Sequence, residues 1–253
     1  MSNLIASRFR IPAAAYVAAS IALSACGGGN RYEGVTPDEL FEVAATEFEQ
    51  ENHGNAIGAL DRLLVAHGDW DRIPDARLML GDVHFDRGDF LTARAEYTRF
   101  IDRYAGNPGS ADAALGICKS LASLTPRPQR DQGYTQEAMT SCRNVVIDFA
   151  GREQAAEAAG ISNELRYTLA EKEYINADFY FRRNMHDSAI KYYEFVVTLY
   201  PESLFAPQAL LGIYLANNAI GYEDLAEAAK QQILLEYPDS EAALSVAADG
   251  PGS

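Results

Sequence analysis

The stretch DSAIKYYEFVVTLYP, residues 187–201, decides the fold, because its spacing of small, apolar and terminating residues recurs along most of the chain. In it a small residue, Ala189, is followed four, seven and eleven positions later by Tyr193, Val196 and Tyr200. This spacing places the four side chains on one face of a helix, and Pro201 is a residue that ends helices. The stretch therefore predicts one amphipathic helix.

The same pattern occurs five times. The small residue, here called the mark, is Ala56, Ala93, Ala138, Ala189 or Ala226. Eleven residues after the marks stand His67, Tyr104, Phe149, Tyr200 and Tyr237. Five marks predict five repeat units.

Three of the five units also carry a pattern ahead of the mark, which predicts a second helix in each unit. In three units an aromatic residue stands eight positions before the mark and a small residue twelve before it: Phe48 and Ala44, Phe85 and Gly81, Phe181 and Ala177. Small residues at two fixed places let paired helices approach closely, and a repeat of about 34 residues with this layout is typical of tetratricopeptide (TPR) units. We predict an all-α fold, a TPR solenoid of five helix pairs with an extended helix between the first three and the last two units. The alternative is a set of unrelated amphipathic helices that happen to carry alanines.

Two intervals between marks are longer than the others. The third mark follows the second after 45 residues instead of 37, and the excess falls in residues 125–133, TPRPQRDQG. Two prolines and a glycine predict a loop there, which is either a contact point for a partner or a tolerated insertion. The next interval is 51 residues, and the segment 154–182 contains no proline, so we predict a lengthened helix.

The lengthened helix gives the expected domain organisation. It adds close to four turns, about 21 Å, and so separates TPR units 1–3 (residues 36–150) from the long helix and units 4–5 (residues 151–248). We expect two arms, followed by a flexible tail at residues 249–253.

The N-terminus predicts export and a lipid anchor. Arg8 and Arg10 precede an apolar run that is too short to span a bilayer and has the size of a signal-peptide core, so residues 1–25 are interpreted as a lipoprotein signal peptide. The run ends in Leu-Ser-Ala before Cys26, as in the bacterial lipoprotein box, which predicts acylation of Cys26, palmitate included. The alternative is an ordinary signal peptide with a chance cysteine.

A glycine-rich segment at residues 26–35 is interpreted as a flexible, lipidated tether. Gly27, and not aspartate, follows Cys26, and we therefore expect the periplasmic face of the outer membrane. The first helix is predicted to start with Thr36 as N-cap, Pro37 at the first helical position and Glu39 completing a capping box.

The charge of the chain limits its partners. The formal net charge is −15, and it becomes −17 without residues 1–25. Such a chain is repelled by nucleic acid and by anionic lipid, so we expect no nucleic-acid partner and a membrane link through the lipid alone. The acidity serves either solubility or an acidic docking surface.

The order of these features resembles one family. The resemblance rests on Tyr32-Glu33-Gly34 ahead of Thr36–Leu40, on Arg130-Asp131-Gln132 in the loop, on the long helix leading into residues 177–181, and on residues 189–201. Together they are similar to the BamD (ComL) family, the TPR lipoproteins of the outer-membrane β-barrel assembly machinery. The chain departs from the family pattern at Glu51 and Asn184, which stand where a turn glycine is usual.

The resemblance implies a function and partners. Members of the family bind the POTRA region of the barrel-forming subunit through their C-terminal half, and their N-terminal half is implicated in receiving unfolded barrel proteins. It also implies other assembly lipoproteins as partners.

Several side chains are candidates for partner contact. For a substrate groove we name His84 and Tyr97, and for partner binding we name Arg127, Arg130, Asp131, Gln132, Tyr180, Arg182, Arg183 and Tyr193. The alternative for each aromatic residue is core packing, because the fourth, seventh and eleventh positions after a mark define the buried stripe. For Arg182 and Arg183 the alternative is stabilisation of a helix C-terminus.

No feature of the sequence predicts an enzyme. Cys118 and Cys142 fall on the two helices of the third unit and are either a disulfide or two free thiols. The four histidines have no second ligand at metal spacing, and no nucleophile or nucleotide motif is present, so we expect no catalysis, metal or cofactor. Two functions remain: a scaffold of β-barrel insertion, or an envelope TPR lipoprotein that coordinates peptidoglycan synthesis or division, like the CpoB group.

Overall fold

The structure is a computed structural model that describes residues 32–248. These residues form eleven α-helices and no strand, which confirms the all-α class. In chain order the helices are α1 (Pro37–Glu49), α2 (His53–Ala66), α3 (Ile73–Asp86), α4 (Phe90–Arg103), α5 (Ser110–Ser123), α6 (Gly133–Asp148), α7 (Glu153–Phe181), α8 (His186–Leu199), α9 (Phe205–Ile220), α10 (Glu223–Glu236) and α11 (Glu241–Ala248).

The chain divides into two compact units, one up to Trp70 and one from Asp71 onward. The division expected at residues 150 and 151 falls inside the second unit, where α6 packs on α7 and α7 on α8 without a break. The two arms and the curved solenoid stay predictions. The expected signal peptide, Cys26 and the tail at 249–253 lie outside the described residues.

The first unit is the helix pair α1 and α2, which pack on one another. Its start agrees with the sequence: the Thr36 hydroxyl accepts a hydrogen bond from the Glu39 backbone N–H at 3.3 Å, and the Thr36 N–H donates to the Glu39 carboxylate at 3.0 Å. Ahead of this helix the Tyr32 hydroxyl donates to the Asn55 carbonyl of α2 at 3.4 Å. The tether at residues 26–35 stays a prediction.

The second unit repeats one packing rule from α3 to α11. Each helix packs on the next in the chain, and α3, α5, α7, α9 and α11 also pack on one another in that order. The first helix of every pair therefore contacts the first helix of the following pair, which is the arrangement of TPR repeats. Helix α11 follows the last predicted pair and is the one helix that the five marks did not predict.

The marks lie at the centre of the packing, as predicted. All five mark alanines are buried, and so are the residues seven positions later, Leu63, Phe100, Val145, Val196 and Ile233. An alanine at the mark leaves room for the neighbouring helix, and the larger side chain fills the space one turn further on.

Helix α7 confirms the predicted lengthened helix. It runs for 29 residues, about 43 Å at the rise of an α-helix, and Gly160 does not interrupt it. Its first half contributes Ala158 and Leu165 to a core cluster with α5 and α6, and its last turns contribute Ala177 to a cluster with α8 and α9. One helix therefore belongs to two successive parts of the core.

Candidate functional site

The aromatic residue proposed for a groove, Tyr97, is part of the core. Its side chain is only 3% exposed, and its ring lies between Gly81 of α3 and Gly116 of α5, so close that a β-carbon on either glycine would be 2.6 Å from it. The Tyr97 hydroxyl donates to Asp82 Oδ1 at 2.7 Å. Placing Tyr97 in a substrate groove is therefore wrong, because the two glycines enclose the ring.

Burial changes the acid–base properties of this pair. Desolvation raises the pKa of the Tyr97 hydroxyl above its usual range, and the nearby Asp82 carboxylate raises it further. The pKa of Asp82 is also raised, because its burial outweighs the hydrogen bond from Tyr97. The pair is a hydrogen-bonded part of the packing between α3 and α4.

The second groove candidate, His84, is also turned inward. Its side chain is nearly buried, and its Nδ1 lies 3.6 Å from Oδ2 of Asp89. In this position only a small part of the imidazole surface is accessible to a ligand.

Tyr193 repeats the position of Tyr97 two pairs later. It is 3% exposed, its ring packs against Gly212 of α9, and its centroid lies 5.7 Å from that of Tyr174. Burial raises the pKa of its hydroxyl. Partner binding by Tyr193 is corrected to core packing for the same reason as at Tyr97.

Tyr180 belongs to a different group, which lies at the surface: Tyr180 and Tyr192 are half-buried and pack against the core, whereas Phe179 and Phe195 are exposed. The rings of Phe179, Tyr180, Tyr192 and Phe195 form a continuous series, here called the aromatic surface cluster, with successive centroids 5.4, 5.2 and 5.9 Å apart. Tyr180 and Tyr192 are stacked with an interplanar angle of 9°. Phe179 is 44% and Phe195 49% exposed, so the cluster presents apolar area to solvent.

The two arginines at the end of α7 both interact with that helix, and one also covers the cluster. Arg182 forms an ion pair with Asp178 at 2.9 Å. The Arg183 guanidinium lies over the Phe179 ring, 3.6 Å from its centroid, and Nη1 donates to the Phe179 carbonyl at 3.2 Å. Both arginines therefore satisfy carbonyls or charges at the helix C-terminus, and Arg183 adds a cation to the aromatic surface cluster.

Sequence reasoning missed Phe179, Tyr192 and Phe195. The signal was present, because Tyr192 and Phe195 stand three and six residues after the mark Ala189, outside the positions of the buried stripe. Large aromatic residues at solvent-facing positions of a helix indicate a contact surface.

Of the four candidate residues in the loop 124–132, three are exposed and one is buried. Arg127, Arg130 and Asp131 are exposed, whereas Gln132 is 2% exposed and hydrogen-bonded within the loop. Direct contact of Gln132 with a partner is therefore wrong, because its amide group points into the loop.

A groove lies beside this loop. It has a volume of about 810 Å³ and lies between α4 and α6 with α5 as its floor. An ion pair between Arg94 and Glu137, 3.0 Å long, joins α4 to α6 across it. Gly133, the residue after Gln132, is one of its lining residues.

Cys118 of α5 and Cys142 of α6 are joined by a disulfide, with Cα atoms 4.9 Å apart and both side chains buried. Within residues 32–248 there is no group of three or more histidine, cysteine, aspartate or glutamate residues placed to hold a metal ion. None of the helices described combines the length and the apolar character needed to cross a bilayer.

Known proteins resemble this chain over most of its length. The chain is 26% identical to the outer membrane protein assembly factor BamD of Caulobacter vibrioides, over 89% of this chain and 74% of that protein. It is 24% identical to the putative assembly factor BamD of Aquifex aeolicus, over 71% of this chain and 59% of that protein. Among solved structures, the TPR2AB domain of yeast Sti1 in complex with pHSP90 covers 82% of this chain and 80% of the domain, with 12% identity and a TM-score of 0.44.

A family-level match covers most of the described residues. The sequence model of the family YfiO, described as outer membrane lipoprotein, matches residues 33–241, which include every helix pair from α1 to α10. The chain therefore belongs to the YfiO family of outer membrane lipoproteins.

Proposed function

We propose that this chain is a non-catalytic scaffold of the outer-membrane β-barrel assembly complex. The observation that carries the proposal is the family match over residues 33–241, together with relatives that are named outer membrane protein assembly factors. A stack of helix pairs suits such a role, because it offers long, preformed surfaces to other proteins.

The absence of catalysis is part of the proposal. A buried acid with a raised pKa, such as Asp82, is the kind of group that enzymes use. Here the Asp82 carboxylate accepts a hydrogen bond from the Tyr97 hydroxyl at 2.7 Å, and Tyr97 is only 3% exposed, so we assign the pair to packing.

The aromatic surface cluster is the proposed contact for the POTRA region of the barrel-forming subunit. Tyrosine, phenylalanine and arginine are enriched at protein interfaces. The two aromatic residues bury much area and lose little side-chain entropy because they have only two χ angles. Arg183 over Phe179 adds a cation that can meet a carboxylate. The cluster lies on α7 and α8, in the half of the chain for which the family resemblance implies POTRA binding.

Receipt of unfolded barrel proteins by the N-terminal half, and contact with other assembly lipoproteins, rest on the family resemblance alone. Both groove candidates, His84 and Tyr97, are turned inward, so no side chain is assigned to substrate.

The proposed location is the periplasmic face of the outer membrane, with acylated Cys26 as the anchor. Several acyl chains on one residue hold a protein stably at a bilayer, whereas one chain does not. We expect Cys26→Ser to abolish incorporation of labelled palmitate and to move the protein from the outer-membrane fraction to the soluble one. Unchanged labelling and fractionation would refute the anchor.

Co-purification tests the proposed function. The full chain, extracted from the envelope in mild detergent, is expected to bring down a POTRA-bearing barrel protein in amounts comparable to its own. Reproducible absence of such a protein would end the proposal. Depletion separates it from the CpoB-like alternative, because the scaffold predicts loss of outer-membrane barrel proteins, and the alternative predicts disturbed septal wall synthesis with normal barrel levels.

A further inference from the structure

The loop between α5 and α6, residues 124–132, is folded around one glutamine. Nε2 of Gln132 donates to the Arg127 carbonyl at 3.0 Å and to the Arg130 carbonyl at 3.1 Å, with the Pro128 carbonyl at 3.4 Å. Its Oε1 accepts a hydrogen bond from the Thr135 hydroxyl at 2.6 Å. A buried amide group is costly unless it is hydrogen-bonded, so these contacts hold the loop in one conformation.

The backbone of the loop adds to this rigidity. Pro126 and Pro128 fix their own φ angles and restrict the residues before them. The Arg130 N–H donates to the Arg127 carbonyl at 3.0 Å, which closes a turn between the two arginines. With the carbonyls directed at Gln132, the side chains of Arg127 and Arg130 lie exposed on the outside of the turn.

These two guanidinium groups have no carboxylate partner within ion-pair distance among residues 32–248. Most other arginines of the second unit do form ion pairs: Arg72, Arg77, Arg87, Arg94, Arg99, Arg166 and Arg182. The one acid of the loop, Asp131, accepts a hydrogen bond from the Gly133 N–H at 3.0 Å. In a chain with net charge −15, the loop thus presents two adjacent cations that its own acids do not neutralise.

The groove of about 810 Å³ continues from this loop along α6. On its rim the polar side chains of Gln136, Ser141 and Asn144 line the opening, and its floor includes Ile117 and Leu121 of α5. Arg94, Glu137 and Asp148 also line the groove, and no residue of the loop 124–132 does. The positive charge available to a bound segment is therefore confined to Arg127 and Arg130, beside the groove.

Two classes of anionic surface fit two exposed arginines, a membrane of acidic lipids and an acidic stretch of protein. The net charge of −15 opposes an extended anionic bilayer, which faces much of the acidic chain, more than it opposes a short acidic segment that meets only the loop. A carboxylate-bearing segment acts at short range, where the planar guanidinium matches a carboxylate in two hydrogen bonds. We propose that the Gln132-folded loop is a second interaction surface, at which Arg127 and Arg130 bind an acidic segment of a protein partner, and that Gln132 is its positioning residue.

A fluorescent peptide of alternating glutamate and serine is the probe, with the full chain in detergent as the receptor. We expect the wild-type chain to bind the peptide in low salt and to lose affinity steeply as salt is added, because screening weakens exposed charge pairs. The double variant Arg127→Gln/Arg130→Gln should weaken binding about tenfold and flatten the salt dependence. The control Arg103→Gln/Arg143→Gln removes the same charge from exposed, unpaired positions elsewhere, and should change affinity less than about twofold.

Gln132→Leu tests positioning without removing charge. It should weaken peptide binding several-fold while the salt dependence stays steep, because both arginines remain but no longer hold one arrangement. If Gln132→Leu fails to fold, Thr135→Val removes the hydrogen bond to Oε1 and gives the same comparison.

Three results would overturn the proposal. The first is that an uncharged control peptide of alternating glutamine and serine binds as tightly as the glutamate-serine peptide. The second is equal loss of affinity in the loop and control double variants. The third is that the chain binds phosphatidylglycerol vesicles through Arg127 and Arg130 but does not bind the acidic peptide. That result would make the loop a membrane-binding surface.

Discussion

At the scale of single residues, the glycines that enclose tyrosine rings fix how closely successive helix pairs approach. The Tyr97 ring occupies the space that a side chain at Gly81 or Gly116 would need. Tyr193 uses Gly212 in the same way in a later pair. In both cases the tyrosine four positions after the mark can pack in this way only because the facing residue in the next pair is a glycine.

This dependence predicts the effect of one methyl group. Gly116→Ala should lower the free energy of unfolding by about 1 to 2 kcal/mol, because the clash with the Tyr97 ring exceeds the gain in helix propensity. Gly160→Ala is the matched control in α7, where nothing lies within 4 Å, and it should raise stability by about 0.5 to 1 kcal/mol. Denaturant unfolding measures both, and two changes of the same sign would contradict the packing argument.

Two turn residues have the backbone conformation that glycine adopts without strain. Glu51 has a φ of 60° and Asn184 a φ of 58°, whereas Gly88 and Gly221 occupy the matching turns of other pairs with φ of 84° and 81°. We expect Glu51→Gly to stabilise the chain by about 1 kcal/mol and Asn184→Gly by less, since asparagine tolerates this region better. Gly88→Ala should destabilise it by about 1 kcal/mol, and a stabilising Gly88→Ala would refute the reasoning.

The buried acid Asp82 predicts a pH dependence. Its pKa is raised in the folded state above the ordinary 3.8, so its contribution to stability is full below that value and is lost as pH rises through the folded pKa. The unfolding free energy of the wild type should therefore fall relative to that of Asp82→Asn as the pH is raised above 3.8. A difference that does not change with pH would show that Asp82 is not perturbed.

At the scale of helices, a disulfide links α5 to α6, the two helices of the third pair. Cys118 and Cys142 are 24 residues apart in sequence and join α5 to α6. Closing a loop of this length lowers the entropy of the unfolded chain and should stabilise it by about 3 kcal/mol. We expect reductant to lower the denaturation midpoint of the wild type and to leave that of Cys118→Ala/Cys142→Ala unchanged. Equal sensitivity of both proteins to reductant would contradict this.

The helices themselves could be predicted from the sequence because their signals are local. The mark alanines, the capping box at Thr36 and the proline-free segment of α7 each depend on spacing within one helix, and the structure agrees with all three. The surfaces could not be predicted in the same way. For Tyr97 and Tyr193 both ligand contact and core packing were open, and the glycines that decide for packing lie on the next pair, 19 residues further along the sequence in both cases.

The candidate site was partly missed for a related reason. The aromatic surface cluster joins Phe179 and Tyr180 of α7 to Tyr192 and Phe195 of α8, and only packing of the two helices brings them together. Arg183 was recognised as a cation at a helix end, but its position over Phe179 depends on three-dimensional geometry. Gln132 was taken for a contact residue because a polar residue in a loop is usually exposed.

At the scale of the whole molecule, we propose that this member of the YfiO family is held by a lipid and meets a POTRA-bearing partner through the aromatic surface cluster. The second compact unit carries that cluster, the arginine-bearing loop and the disulfide, whereas the first is a single helix pair. The two proposed surfaces lie on different helix pairs of the second unit, so each can be removed without changing the other.

The affinity of the full chain, in detergent, for the purified POTRA region of the barrel-forming subunit tests the central claim most directly. The account predicts that the wild type binds and that Phe179→Ala/Phe195→Ala weakens binding by about tenfold or more. The control Leu225→Ala/Leu244→Ala truncates two apolar side chains elsewhere in the second unit that are more exposed than the two phenylalanines, and it should change affinity less than about twofold. Failure of the wild type to bind, or the same loss in both double variants, would contradict the account.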